Sequence, residues 1–265
     1  MKKILITGAN SYIGTSFEKY IHENYPDDYI IDTLDMLDKN WREKSFSEYD
    51  SVFHVAGIAH QKETSKNAHS YYEVNRDLAV ETAKKAKAEG VKQFVFLSSM
   101  SVYGMDIGVI KKDTLPNPKS HYGKSKWQAE QEISLLNDDN FLVCILRPPM
   151  VYGEGCKGNY QTLVKIAERF PVFPKYKNKR SVIFVDNLSK KVKILIDQKC
   201  SGIYFPQNPE YSCTSEIIAE IALKMGKKVV FVRIFNPLIF VLKFVSAKCR
   251  KAFGDLIYED MDVIE

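Results

Sequence analysis

Short, almost uninterrupted apolar runs alternate with segments of helical period over the first 150 residues of the chain. Runs at Ile4–Thr7, Tyr29–Leu34, Val52–Val55, Gln93–Ser98 and Phe141–Leu146 have the composition of strands buried on both faces, as in a parallel sheet. Between them lie amphipathic stretches. Ile13, Phe17 and Ile21 recur every four residues, and Tyr72–Ala88 carries an alanine-rich inner stripe that Gly90 ends. The segment Asp38–Glu48 is polar apart from Trp41 and Phe46, so a short third strand after Leu37 is hard to place. The alternation predicts an α/β fold, a Rossmann-type doubly wound parallel sheet.

After Val151 the pattern loosens. Gly153, Gly155 and Gly158 predict a mobile loop before a helix over Tyr160–Phe170. Leu188–Ile196 and Ser215–Met225 show helical spacing, and Val229–Ile234 reads as a strand. Near the end, Leu238–Val245 is strongly apolar and is followed by Ala247-Lys248-Cys249-Arg250-Lys251. Such a basic amphipathic helix suits an anionic membrane surface, a dimer contact, or packing within the protein, and the pattern leaves these open. The chain ends at Asp262-Val263-Ile264-Glu265 without an obvious last element.

Two constellations carry chemistry. The first follows the opening strand: Gly8-Ala9-Asn10-Ser11-Tyr12-Ile13-Gly14 leads into a helix. A buried strand, a tight glycine turn and a helix N-terminus make a phosphate cradle for a dinucleotide. About 20 residues further on, that arrangement wants a carboxylate for the adenosine ribose. Asp35 sits just past the last apolar position of its run, and Asp32 is the alternative. Either repels a 2′-phosphate, which favours NAD over NADP.

The second constellation is Leu97-Ser98-Ser99-Met100-Ser101-Val102-Tyr103-Gly104, followed by His121-Tyr122-Gly123-Lys124-Ser125-Lys126. Tyr122 and Lys126 share one helix face at four-residue spacing. An ammonium close to a phenol favours phenolate and is expected to lower its pKa toward working pH. Such a phenol can exchange a proton with a hydroxyl while hydride moves on carbon, and Ser99 adds a second hydrogen bond to the same oxygen. Taken alone, a Tyr and a Lys at this spacing also describe an ordinary helix surface.

Together these motifs resemble the extended short-chain dehydrogenase/reductase family, in its branch of nucleotide-sugar epimerases and dehydratases. The resemblance runs from about Lys2 to Met225 and includes His54-Val55-Ala56-Gly57, Val74-Asn75, Leu146–Gly153 and Arg180–Asp186. It implies a catalytic trio of Ser99, Tyr122 and Lys126. It implies an NAD site formed by Gly8, Asn10, Ser11, Tyr12, Ile13, Gly14, Asp35, Ala56, Gly57, Asn75, Ser98 and Pro149, with Tyr122 and Lys126. It implies a substrate site of Ser99, Ser101, Tyr122, Asn159 and Arg180, the arginine gripping a diphosphate. Ser11 stands where the family has a glycine. The resemblance also implies a main domain over residues 1–150, an interleaved substrate lobe mainly over 151–265 with part returning to the main domain, and a homodimer.

Composition narrows the remaining classes. The net charge of +5 suits an anionic substrate and gives no argument for nucleic acid. Cys144, Cys156, Cys200, Cys213 and Cys249 are widely spaced without a CxxC pair, so neither a zinc site nor a disulfide framework is indicated. With no apolar run near the ~20 residues of a membrane span, and a start that runs straight into the first strand, a cytoplasmic location is expected. His54 reads as a structural histidine, and His60 and His69 as solvated loop residues. Met100 and Ser101 occupy positions where dehydratases and decarboxylases of the family tend to carry an acid, which disfavours both chemistries. The expectation is 4-epimerisation of a UDP-hexose through a 4-keto intermediate. The alternatives are a 4-keto-sugar reductase using NAD(P)H and a non-catalytic NAD-binding module.

Overall fold

The computed structural model describes residues 1–59, 61–156 and 158–259, and the Asn159 side chain also lies outside the described set. His60 and the chain end at Asp262–Glu265 therefore fall outside the described residues. The first half runs β1 (Lys2–Thr7), α1 (Tyr12–Asn24), β2 (Tyr29–Leu34), β3 (Ser51–His54), α2 (Ala68–Tyr72), α3 (Leu78–Ala88), β4 (Gln93–Leu97), β5 (Gly108–Ile110) and α4 (His121–Ser134). It continues with β6 (Leu142–Leu146), β7 (Met150–Tyr152), α5 (Asn159–Arg169), β8 (Val172–Pro174), β9 (Val182–Phe184), α6 (Val185–Asp197) and β10 (Gly202–Tyr204). The last elements are α7 (Thr214–Lys224), β11 (Val230–Val232), α8 (Asn236–Val245), α9 (Ala247–Phe253) and β12 (Leu256–Tyr258).

Among the described residues, six strands form one parallel sheet in the order β10-β6-β4-β3-β1-β2. All five strands expected from their apolar runs lie in it. The strand order reverses between β1 and β3, whose last paired residues are Thr7 and His54, and a crevice opens at such a reversal beyond the strands' carboxyl ends. The helices bury opposite faces. Phe17 and Ile21 of α1 join Leu188, Val192 and Leu195 of α6 on one face. Ala79, Ala83 and Ala86 of α3 join Ala129 and Ile133 of α4 on the other.

The structure departs from the sequence expectations in four places. No strand follows Leu37: the segment makes a 3-10 turn at Trp41–Glu43, and Trp41 plugs into the core with 3 % exposure. The stretch expected as one helix from Tyr72 begins earlier, as α2, and is interrupted by a π-turn at Glu73–Asp77. Asn75 thus lies inside a widened turn rather than opening a helix. The sixth sheet strand, β10, escaped notice because only three residues pair with β6 and its side chains are only partly buried. Finally, the chain has a late element after all: β12 pairs in parallel with β5, and Tyr258 is fully buried against Tyr103 and Phe205.

Residues 185–204 return to the main sheet through α6 and β10. A separate apolar cluster gathers Ala167, Phe173, Val182, Ile217, Ile218 and Ile221 from α5, β8, β9 and α7. Replacing Trp41 with Ala removes a large apolar side chain of this polar segment from the core, and about 3–5 kcal/mol of stability is expected to go with it. A fall in urea midpoint at unchanged slope is the measurement.

Candidate active site

The crevice is lined first by the turn after β1. Gly8 adopts φ +114°, and a Cβ there would lie 2.6 Å from the backbone nitrogen of Ala56, so the turn and the end of β3 touch backbone to backbone. Asn10 also takes a positive φ of 63°, a region open to Asn at modest strain. At Gly14 a Cβ would meet Ile6 and Val55 side-chain carbons at 3.1 Å, which is the close helix–strand packing a dinucleotide turn requires. Ser11 is the N-cap of α1: the Gly14 N–H donates to its Oγ at 3.2 Å. The family's glycine is thus replaced by a capping side chain whose hydroxyl proton is still available to a ligand. Ile13 packs at the edge of the core on this face.

Tyr12 turns its phenol toward the start of the glycine-rich loop. A Cβ on Gly153 would lie 2.7 Å from the Tyr12 oxygen, and that buried oxygen has no hydrogen-bond partner among the described residues. Burial pushes the Tyr12 phenol up from its ordinary value, with Cys156 and Asp186 adding to the rise. The two acids separate cleanly. Asp32 accepts the Tyr49 hydroxyl at 2.6 Å, whereas the exposed Asp35 carboxylate accepts the Leu37 N–H at 2.9 Å. Gly8 and Ala9 both donate to Leu34 O, which places Asp35 beside the turn.

The reacting groups gather at the carboxyl ends of β4 and β6 and on the first turns of α4. Ser99 caps the 3-10 turn Met100–Tyr103: its Oγ accepts the Ser101 N–H at 3.1 Å and lies 3.2 Å from Ser101 Oγ. Met100 N–H donates to Pro148 O, which brings Pro149 alongside. Helix α4 starts from Ser120, which caps Gly123 at 3.0 Å, and Glu63 accepts the N–H groups of His121 and Tyr122 at 3.0 Å each. A carboxylate at that helix N-terminus is favoured by the dipole and fixes where Tyr122 begins its turn. Tyr71 packs edge-on to the Tyr122 ring at 6.5 Å.

Lys126 is buried, donates to Leu97 O at 2.8 Å and stands 4.6 Å over the Phe96 ring. Burial pushes its ammonium down to about 8, and Glu130, one turn on, acts against the drop. Tyr122 behaves differently from expectation. Desolvation pushes its phenol up, a hydrogen bond with Ser99 pulls it back, and Tyr71 adds to the rise. The expected lowering by Lys126 is not present in this state, because the ammonium is turned onto Leu97 O and the Phe96 face. Ser99 is the group that favours phenolate here.

Asn75 ties the crevice to this cluster. Fully buried in the π-turn, it accepts Ile58 N–H at 2.7 Å, donates to Ile58 O at 3.0 Å and reaches Ser125 Oγ at 3.2 Å. A Cβ on Gly57 would meet Asn75 Oδ1 at 2.9 Å and Lys126 Nζ at 3.4 Å, so Ala56, Gly57, Asn75 and Lys126 enclose one space. π-turns within helices often occur at functional sites. His54 is buried between Phe94 and Phe96, bonded to Thr7 through Nδ1, and pushed down to about 3 by burial and the Lys126 charge. It is a neutral structural residue.

Beneath the trio runs a polar network that sequence reasoning missed. Glu130 accepts from Arg147 at 2.6 and 3.1 Å and from Ser98, all three being buried. Arg147 also donates to Tyr103 at 2.8 Å, and Tyr258 donates to the Arg147 carbonyl at 2.7 Å. Ser98 therefore faces Glu130. The four-residue ladder Tyr122, Lys126, Glu130 was the signal that could have found it. Arg180 is held elsewhere, by its own backbone bonds with Ser212 and by Nη1 donating to Gly254 O at 3.1 Å. Burial pulls its guanidinium down, with Asp106 and Asp255 opposing. Asn159 opens α5, and no metal-holding cluster of His, Cys, Asp or Glu occurs among the described residues.

The sequence profile of the NAD dependent epimerase/dehydratase family matches residues 4–204. The chain belongs to that family. It is 29 % identical over 252 residues to a UDP-glucose 4-epimerase of Vibrio cholerae, covering 85 % of this chain and 76 % of the relative. It is 25 % identical over 256 residues to the N-acetyl-alpha-D-glucosaminyl-diphospho-ditrans,octacis-undecaprenol 4-epimerase of Escherichia coli O157:H7, covering 89 % and 76 %. In fold it is similar to the dTDP-4-dehydrorhamnose reductase of Bacillus anthracis in complex with NADP, with a TM-score of 0.72 at 20 % identity over 96 % of this chain and 99 % of that one. NAD is the cofactor of the family, and the Gly8 and Gly14 approaches leave a backbone-lined cradle that fits a dinucleotide. Among the described residues no helix is long and apolar enough to cross a membrane.

The lowered Lys126 value has a consequence for stability. An unfolded lysine keeps its proton up to ~10.4, whereas the folded one releases it through about 8. Between those values the unfolded chain binds more protons, so this group's contribution to stability rises with pH. From pH 7.5 to 9.5 the native protein is expected to gain about 2 kcal/mol relative to Lys126→Met in urea unfolding.

Proposed function

We propose that the protein is a 4-epimerase of a nucleotide-diphosphate hexose, with a UDP-hexose as substrate. The observation that supports this best is the meeting of Ser99, Tyr122 and Lys126 beside Gly57 and Asn75, with no acid at Met100 or Ser101. Ser101 is already engaged with Ser99, so that position offers no group to protonate a leaving hydroxyl.

On this reading the turn Gly8–Gly14 would hold the cofactor's pyrophosphate and Asp35 its adenosine ribose. Ala56, Gly57 and Asn75 would line the space toward the nicotinamide, with Pro149 closing it, and Ser98, bonded to Glu130, would stand behind it. NAD, when bound, supplies the hydride acceptor and donor. Ser99 would donate to the sugar's C4 oxygen and orient it, and Tyr122 would take the C4 hydroxyl proton and return it to the same oxygen once the 4-ketone has turned in the pocket to present its other face for reduction. Lys126, charged below about 8, favours phenolate once it swings from Leu97 O toward the phenol. Arg180 pairs with the diphosphate, and Asn159 at the start of α5 adds a contact there. The net redox change is zero, so a retained cofactor suffices. A one-way 4-keto-sugar reductase would exchange cofactor at each turnover, and exposed Asp35 disfavours the 2′-phosphate that such enzymes take.

A second reading is favoured by one observation. Arg180 donates to Gly254 O, and Gly254 follows α9 and the strongly exposed apolar helix α8. A diphosphate-linked sugar carried on a lipid would reach Arg180 from that side. Supplying UDP-hexoses and a polyprenyl-diphosphate hexosamine in parallel separates the two.

Tyr122→Phe should lower C4 interconversion ~10²–10⁴-fold, measured without added cofactor, while cofactor still copurifies. Wild-type protein that interconverts neither substrate class would refute the epimerase reading. Substituting Asp35 with Ala should weaken NAD binding and narrow the preference for NAD over NADP, as read by isothermal titration of both.

A further inference from the structure

Helix α8 stands apart from the four apolar clusters of the fold. Of its side chains only Ile239 is buried, whereas Leu238, Phe240, Val241, Phe244 and Val245 are 57–76 % exposed. Ile234 and Phe235, just before the helix, are exposed as well, and Phe240 and Phe244 pair edge to face at 5.7 Å on the open side. A contiguous apolar face of this kind marks a contact surface.

Along the chain the flanking charge has one sign, with Lys251 also paired to Asp106 at 3.6 Å. From Gly226 to Gly254 the chain carries Lys227, Lys228, Arg233, Lys243, Lys248 and Lys251, together with Arg250, and no Asp or Glu. Arg250 is turned inward to the carbonyls of Lys243 and Phe244 at the end of α8. This stretch alone holds more positive charge than the +5 of the whole chain, so the remainder is net acidic. Two copies meeting through α8 would bring these cationic rims together with no carboxylate of the stretch to offset them. An anionic surface has the complementary charge.

We propose that the exposed face of α8 docks on an anionic lipid bilayer, lying in the plane of the interface. At ten residues the helix is too short to span, and its apolar side chains match the depth of the headgroup–acyl boundary. The surrounding lysines then sit at the level of anionic headgroups. The helix pair α8–α9 is tethered to the body of the protein, because β12, which follows α9, is fixed to β5. The proposal stands apart from the choice of sugar substrate.

Flotation of the full chain with vesicles tests it. Binding to phosphatidylcholine vesicles containing phosphatidylglycerol is expected, and should weaken on the order of tenfold or more without the anionic lipid or at high salt. The double substitution Phe240→Asp, Phe244→Asp should abolish flotation while circular dichroism and NAD binding stay native, since both rings are exposed. Lys248→Gln with Lys251→Gln provides a milder check and should reduce only the component that depends on anionic lipid. The proposal fails if wild type does not float, or if the phenylalanine variant floats equally well. It also fails if light scattering shows a dimer that those substitutions dissociate while vesicles are never bound, which would make α8 a self-association face.

Discussion

Helix α4 carries the phenol and the ammonium of the site, and the buried ion pair between Glu130 and Arg147 fastens it to the sheet. The carboxylate is 1 % exposed and the guanidinium 4 %, and each is bonded on more than one side. Removing either partner would strand the other in a medium that solvates it poorly, so the two stand or fall together. Through this pair the ends of β4 and β6, the 3-10 turn after Ser99 and the late strand β12 all bear on one helix. Ser99 and Tyr122 can meet only because that junction fixes the distance between a strand end and a helix start.

The same junction sets the electrostatics. Lys126 is desolvated against Phe96 and keeps its charge over a narrower pH range than a surface lysine, with Glu130 one turn away holding it up. Tyr122 is pushed the other way by burial and is moderated by Ser99. The phenol is held neutral by burial, and the ammonium is turned onto a backbone carbonyl.

The cofactor turn shows how a departure from a family pattern is absorbed. A side chain at Ser11 in place of glycine would crowd a pyrophosphate if it pointed into the turn. Instead its side chain caps α1, satisfying the Gly14 N–H, and the tight approach is made by Gly8 against Ala56. Backbone access at the turn depends on the glycine with positive φ, and the capping position tolerates a small polar side chain.

Much of this was legible in order along the chain. The apolar runs determined five of the sheet's strands, since only residues buried on both faces can be continuously apolar. The glycine turn, the acid after β2 and the Ser, Tyr and Lys spacing identified the candidate site, because local geometry and helix periodicity act over a few residues. Long-range matters were not legible. The pairing of Glu130 with Arg147, the direction of Lys126 and the burial of Trp41 each depend on partners far away in sequence. So does the fate of α8: its composition was plain, but only the packed fold shows that its apolar face remains uncovered. Sequence pattern fixes which segments must be buried; which groups face one another once they are, and hence every shifted pKa, is decided by the tertiary structure, because desolvation and charge pairing act through space and not along the chain.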